Sequence, residues 1–93
     1  MAVEHVLKTL PDYWHAIQRG EKTFEVRRDD RGFQKGDTLV LQRLQKSISG
    51  TYHVEKSGSY ASPIELRCKI TYVLTGGQFG IEPGYVVLGL KKA

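Results

Sequence analysis

The sequence predicts an α+β domain that is mostly β: one or two helices, and five or six short strands curled into a small barrel with a helix at its mouth. Three observations carry this. Apolar and polar residues alternate over Thr23–Arg28 and Ile64–Leu74, the period of two that marks strands, and Thr38–Leu44 and Tyr85–Lys91 are short apolar runs of strand length. Glycines sit at most corners between these runs. Only the stretch after Pro11 has helical spacing. In 93 residues such strands cannot be covered on both faces of an open sheet, and rolling up with a helix over one opening removes the exposed edges. Residues 1–93 are expected to form one domain.

Taken in order, Val3 to Leu10 reads as a strand with Val6 as its core residue and His5, Leu7 and Thr9 on the other face. Pro11 fits the first position of a helix, where a missing N–H costs nothing, and Asp12 complements the helix dipole. Tyr13, Ala16 and Ile17 form an apolar stripe that Trp14 widens; Trp14 is expected to pack the helix on the barrel. Gly20 suits a left-handed cap.

Thr23 to Arg28 is a strand in which Phe24 and Val26 face one way and Thr23, Glu25 and Arg27 the other. Asp29–Gly32 and Lys35–Asp37 are turns by composition. Thr38 to Leu44 is apolar on both faces, Leu39 and Leu41 against Val40 and Leu44, as in a central strand or barrel wall.

Residues 45–63 are a polar insert, with Thr51 to Glu55 as one arm of a hairpin and the segment from Ser57 to Ser62 as its tip. The strand from Ile64 to Leu74 places Leu66, Cys68, Ile70, Tyr72 and Leu74 on one face, so Cys68 reads as a small buried hydrophobe. A loop carrying Phe79 and Ile81 follows, and Tyr85 to Lys91 closes the chain with Val86, Leu88 and Leu90 inward.

The totals exclude several classes. A 40% hydrophobic fraction suits a packed core and not a disordered chain. No run of about 18 apolar residues offers a membrane span. Met1-Ala2-Val3-Glu4-His5 lacks the basic and apolar segments of a signal peptide. One cysteine excludes an internal disulfide and fits a reducing cytoplasm. Histidines at 5, 15 and 53 have no ligand spacing with it, so no metal site is expected. The net charge of +4 and a pI near 9.3 lean towards an anionic partner.

The candidate site centres on Lys22, Glu25, Arg27 and Arg31, with His5, Lys8 and Asp30 as neighbours. A guanidinium holds phosphate, carboxylate or a base edge through paired hydrogen bonds. Glu25 can accept from the exocyclic amine of a base, and Lys22 can meet phosphate or, desolvated, act as a base. The bland reading is that Glu25 and Arg27 form a solvated surface pair worth less than about 1 kcal/mol. Tyr52, Tyr60, Phe79 and Tyr85 lie in or beside loops and could stack on bases. Tyr60 is the one expected to be exposed, and core packing is the expected fate of Phe79 and Tyr85. No nucleophile elbow, phosphate loop or dinucleotide fingerprint is present.

His5-Val-Leu-Lys8, Tyr13-Trp-x-x-Ile17-x-x-Gly20-x-Lys22-Thr23-Phe24-Glu25-Val26-Arg27, Asp30-Arg31-Gly32-Phe33, Gly36-Asp37-x-Leu39, Thr71-Tyr72-Val73-Leu74 and Gly84-Tyr85-Val86-Val87-Leu88 resemble the DUF3850 group of small bacterial and phage proteins. These belong with the ASCH domains of the PUA-like superfamily. The resemblance spans nearly the whole chain, and only about Leu44 to Pro63 departs from it.

It implies a PUA-like barrel of five to six strands with a helix at its mouth, and a cleft along Lys22-x-x-Glu25-x-Arg27 that takes RNA or a nucleotide. One ASCH branch deacetylates N4-acetylcytidine with a lysine, a threonine three residues on and a distant glutamate. Lys22 matches that lysine, but Glu25 stands in the threonine's place, and the helix that carries the distant glutamate has no counterpart. Another relative is described as a ribonuclease.

The leading expectation is therefore a cytoplasmic, monomeric module that holds single-stranded RNA or a modified nucleotide. Arg27 and Arg31 would lie on phosphate or base, with no cofactor. A small hydrolase with Lys22 or Glu25 as general base is one alternative, and a module that binds a protein partner is another.

Overall fold

The computed structural model describes residues 2–58 and 61–93. The elements run β1 (Glu4–Thr9), α1 (Pro11–Gln18), β2 (Phe24–Arg28), β3 (Thr38–Lys46), β4 (Tyr52–Val54), β5 (Lys56–Ser57), β6 (Ser62–Pro63), β7 (Glu65–Thr75) and β8 (Tyr85–Lys92). The main sheet has the order β1-β3-β7-β8-β2, and β4 joins the end of β3. β1 and β3 are parallel, and the other pairs antiparallel. The sheet is barrel-like, with β1 and β2 as its two edges.

The inward face is apolar. Leu39, Leu41, Ile70 and Leu88 are fully buried, and each contributes roughly 1.5–3 kcal/mol by leaving water. Leu7, Phe33, Cys68, Val86 and Leu90 complete the core with Trp14 and Ile17 of α1. Pro11 opens the helix and Asp12 lies in its first turn. Trp14 donates from Nε1 to the Leu41 carbonyl at 2.8 Å, which satisfies its one polar group and pins helix to sheet. Gly20 takes φ +78°, and behind it the N–H groups of Glu21 and Lys22 both bond the Ala16 carbonyl at 3.0 Å. This capped end fixes the chain's path into β2.

Several faces differ from the sequence expectation. In β1, Val6 is exposed while His5, Leu7 and Thr9 are buried. Turning Val6 inward would bury Glu4 and Lys8 as well, since residues two apart share a face. In β2 the two faces separate as expected, with Phe24 and Val26 exposed and Glu25 buried. Tyr13 is exposed and leaves the helix stripe to Trp14 and Ile17. A bulge between Ile70 and Tyr72 reverses the alternation of β7. Tyr72 therefore faces solvent, and Val73 packs on the core instead.

The 45–63 insert is two successive hairpins. β3 pairs with β4, and β5 with β6. Arg43 ties the first to the helix: its Nε donates to Glu55 at 2.6 Å, and its guanidinium lies 4.9 Å from the Trp14 ring. Phe79 is not packed in the core. It is 85% exposed with φ +53°. Tyr85 is half-buried beneath the Arg28 guanidinium at 5.4 Å.

Candidate functional site: a cationic cleft at the barrel seam

The Val3 carbonyl accepts from Thr38, and Thr23 and Gly84 accept from Leu90 and Asp29. Hydrogen bonding alternates along a strand, so odd-numbered residues of β1 and β2 bond their sheet neighbours. Even-numbered residues of both turn their backbone groups to the gap between the two edges. Arginines fill part of that gap. Arg27 donates through Nη2 to the Lys8 carbonyl at 2.8 Å and to Thr9 Oγ1 at 3.2 Å. Arg31 donates through Nη1 to the Val6 carbonyl at 2.7 Å. These side chains cross the seam where no ladder does.

Beyond Arg27 the edges open into a cleft of about 510 Å³, the size of a small-molecule site. The end of β1 contributes Lys8, Thr9 and Leu10, α1 contributes Tyr13, and the approach to β2 and its first turns contribute Lys22, Phe24, Glu25, Val26 and Arg27. Glu25 is the anchor, 4% exposed. One of its oxygens accepts from Lys22 Nζ and the other from Arg27 Nε at 3.0 Å. Lys22 Nζ also sits 4.7 Å from the Tyr13 ring and 5.1 Å from the Phe24 ring, a stabilising place for an ammonium.

A guanidinium has five N–H donors. Three from Arg27 are engaged, and its Nη1 has no partner among the described residues. The cleft thus holds three cations, Lys8, Lys22 and Arg27, against one carboxylate, beside two half-exposed rings. Such an arrangement can hold an anion that carries a flat apolar part.

Lys8, Lys22, Glu25 and Arg27 come together as the sequence suggests. Arg31 lies lower on the seam, outside the cleft lining, and pairs with exposed Asp30 at 3.5 Å. His5 is in the barrel interior and not in the cleft. Its Nε2 is 2.8 Å from Asp37 Oδ2, and its ring meets Phe33 edge-on at 4.8 Å. Tyr60 lies outside the described residues. Thr9, Tyr13 and Phe24 line the cleft without having been singled out for it. The available signal was in β2: if Glu25 faces inward, Phe24 must reach the rim.

Asp37 also accepts from the Val3 and Gln34 N–H groups at 3.1 and 3.0 Å. Burial pushes its carboxyl up, but the hydrogen bonds from His5, Val3 and Gln34 and the charge of His5 outweigh this and hold it below 3.8. Burial pushes the Cys68 thiol up, and the Glu25 charge adds to this while Lys92 opposes it. Among the described residues no group of three or more His, Cys, Asp or Glu could hold a metal. No helix among them is long and apolar enough to cross a membrane.

A family model described as "Domain of unknown function (DUF3850)" matches residues 4–90. The chain belongs to the DUF3850 family. The matched span takes in every cleft residue and both hairpins of the insert. The seam and its arginines therefore lie within the DUF3850 domain. No curated protein matches the chain.

Proposed function

We propose that the cleft binds single-stranded RNA or a nucleotide. The supporting observation is the buried Glu25 carboxylate, which holds Lys22 and Arg27, with Lys22 Nζ against the Tyr13 and Phe24 rings. Cations beside exposed aromatic planes suit phosphate and stacked bases. Glu25 is buried behind the two cations that it holds, so its role is to position them, and recognition falls to Lys22, to Arg27 Nη1 and to the rings. Such a ligand and a lone buried thiol fit a cytoplasmic module of the ASCH, PUA-like kind.

The test is a titration of a short mixed-sequence single-stranded RNA and a nucleotide panel against wild type and Lys22→Ala at two salt concentrations. Lys22 is preferred to Arg27 because Arg27 also holds the seam. Binding that falls with salt and weakens in Lys22→Ala supports the reading. Equal binding by both proteins means diffuse surface charge. Absence of binding to every probe moves a protein partner into first place.

One observation favours a second reading, hydrolysis of RNA or a modified nucleoside such as N4-acetylcytidine. Thr9 lines the same cleft as Lys22 and Glu25, so the cleft contains a hydroxyl, a carboxylate and an amine despite the altered sequence pattern. Turnover that survives Thr23→Ala but is lost in Glu25→Gln and Thr9→Val supports hydrolysis. Turnover indifferent to all three comes from a contaminant.

A further inference from the structure

A second groove, of about 290 Å³, begins where the cleft ends. It shares Leu10 and Tyr13 with the cleft and runs past Pro11 and Asp12 to Lys46 and Tyr52. Tyr13 is the partition, 51% exposed. Lys46 and Tyr52 stand directly opposite each other in the β3–β4 ladder, so they share a face. Both line the groove. Tyr52 is 44% exposed, and Lys46 has no salt-bridge partner among the described residues.

The two grooves together present Phe24, Tyr13 and Tyr52 in succession, with Lys22 on the first stretch and Lys46 on the second. Rings accompanied by cations in two adjoining grooves suit a single strand, in which each base is followed by a phosphate. A mononucleotide fills only the first stretch. Asp12 lines the second as well and offsets the charge of Lys46, so stacking on Tyr52 must dominate there, with one phosphate contact at most.

We propose that the site is a two-compartment oligonucleotide groove, in which Tyr52 stacks the base next to the one held at Tyr13 and Phe24, and Lys46 meets the intervening phosphate. This rests on the RNA or nucleotide reading of the cleft. It also gives the first hairpin of the polar insert a role, since Tyr52 lies on its return strand.

The experiment compares a mononucleotide with a single-stranded RNA pentamer on wild type, Tyr52→Ala, Tyr52→Phe and Lys46→Ala, with thermal unfolding as a check on folding. Wild type should bind the pentamer more tightly than the mononucleotide. Tyr52→Ala should lose roughly tenfold in pentamer affinity, about the worth of one stacked base, with mononucleotide binding unchanged. Tyr52→Phe should retain wild-type affinity, because the ring stacks without its hydroxyl. Lys46→Ala should lower the salt dependence of pentamer binding by about one phosphate contact.

Equal wild-type affinity for both probes, or pentamer binding indifferent to Tyr52→Ala and Lys46→Ala, overturns the second compartment and leaves the cleft reading intact. Failure of wild type to bind either probe overturns the cleft reading, and the second compartment with it.

Discussion

Arg27 reaches from β2 across the seam and donates a 2.8 Å hydrogen bond to the Lys8 carbonyl on β1. The same side chain reaches Thr9 and Glu25, so one guanidinium ties the two sheet edges at the floor of the cleft. Arg27→Ala should therefore destabilise the fold by about 1.5–3 kcal/mol, the range for a hydrogen bond that involves a charged group. Arg27→Lys should recover little, because a point-like ammonium cannot reach three acceptors with a planar fork. Urea unfolding of the three proteins measures this, and a fully stable Arg27→Ala would remove the seam role.

Glu25 holds two cations that would otherwise repel. Glu25→Gln keeps the shape and removes the charge, and should lower stability by about 1–3 kcal/mol. On the proposed RNA or nucleotide reading, ligand binding should weaken as well, even though the cleft gains one net positive charge, because Lys22 and Arg27 lose their shared anchor. Tighter binding by the variant at every salt concentration would show that Glu25 positions nothing.

Asp37 has a folded-state carboxyl held below its ordinary value of 3.8. Its contribution to stability is complete above that unfolded-state value and is lost as the pH falls through the lower folded value. Acid unfolding of wild type should thus steepen below about pH 4. Asp37→Asn should be less stable at neutral pH by about 2–4 kcal/mol and should show a shallower acid limb. An unchanged acid limb would refute the assignment.

The β7–β8 loop supplies two opposite expectations. A Cβ at Gly76 would lie 2.1 Å from the Glu82 carbonyl oxygen and 2.6 Å from that of Tyr85. Gly76→Ala should destabilise by more than about 1 kcal/mol. Phe79 holds a left-handed backbone that costs an L-residue about 1–2 kcal/mol and is almost wholly exposed. Phe79→Gly should leave stability unchanged or higher, where a buried Phe cut to Ala loses about 3–5 kcal/mol. Thermal melts should show Gly76→Ala lowered and Phe79→Gly unchanged or raised.

Much of the fold was legible. Each main strand, the helix and its glycine cap follow from local pattern, and so do the inward positions of Cys68, Ile70, Val86, Leu88 and Leu90. The pairing of Glu25 with Arg27 was legible because residues two apart on one strand share a face, and Lys22 lies just ahead of that strand. The pairing of His5 with Asp37, 32 positions apart, and the wall formed by Thr9 and Tyr13 were not, since they depend on which elements meet. The bulge at Thr71 left no mark in an otherwise regular alternation, and so Tyr72 was placed on the wrong face.

The sequence by itself determined where strands, helix and turns lie, because those depend on alternation, spacing and capping within a few residues. Only the tertiary structure decided which face of β1 and β2 is the inside. Hydropathy favoured Val6, yet burying it would have buried Glu4 and Lys8 as well, and in β2 alternation alone left the choice between Phe24 with Val26 and Glu25 with Arg27 open. The rolled sheet instead turns His5, Thr9 and Glu25 inward, where Asp37, Arg27 and Lys22 satisfy them. A polar group is inexpensive to bury only when its partner is already in place, and the partner's position is a property of the whole fold.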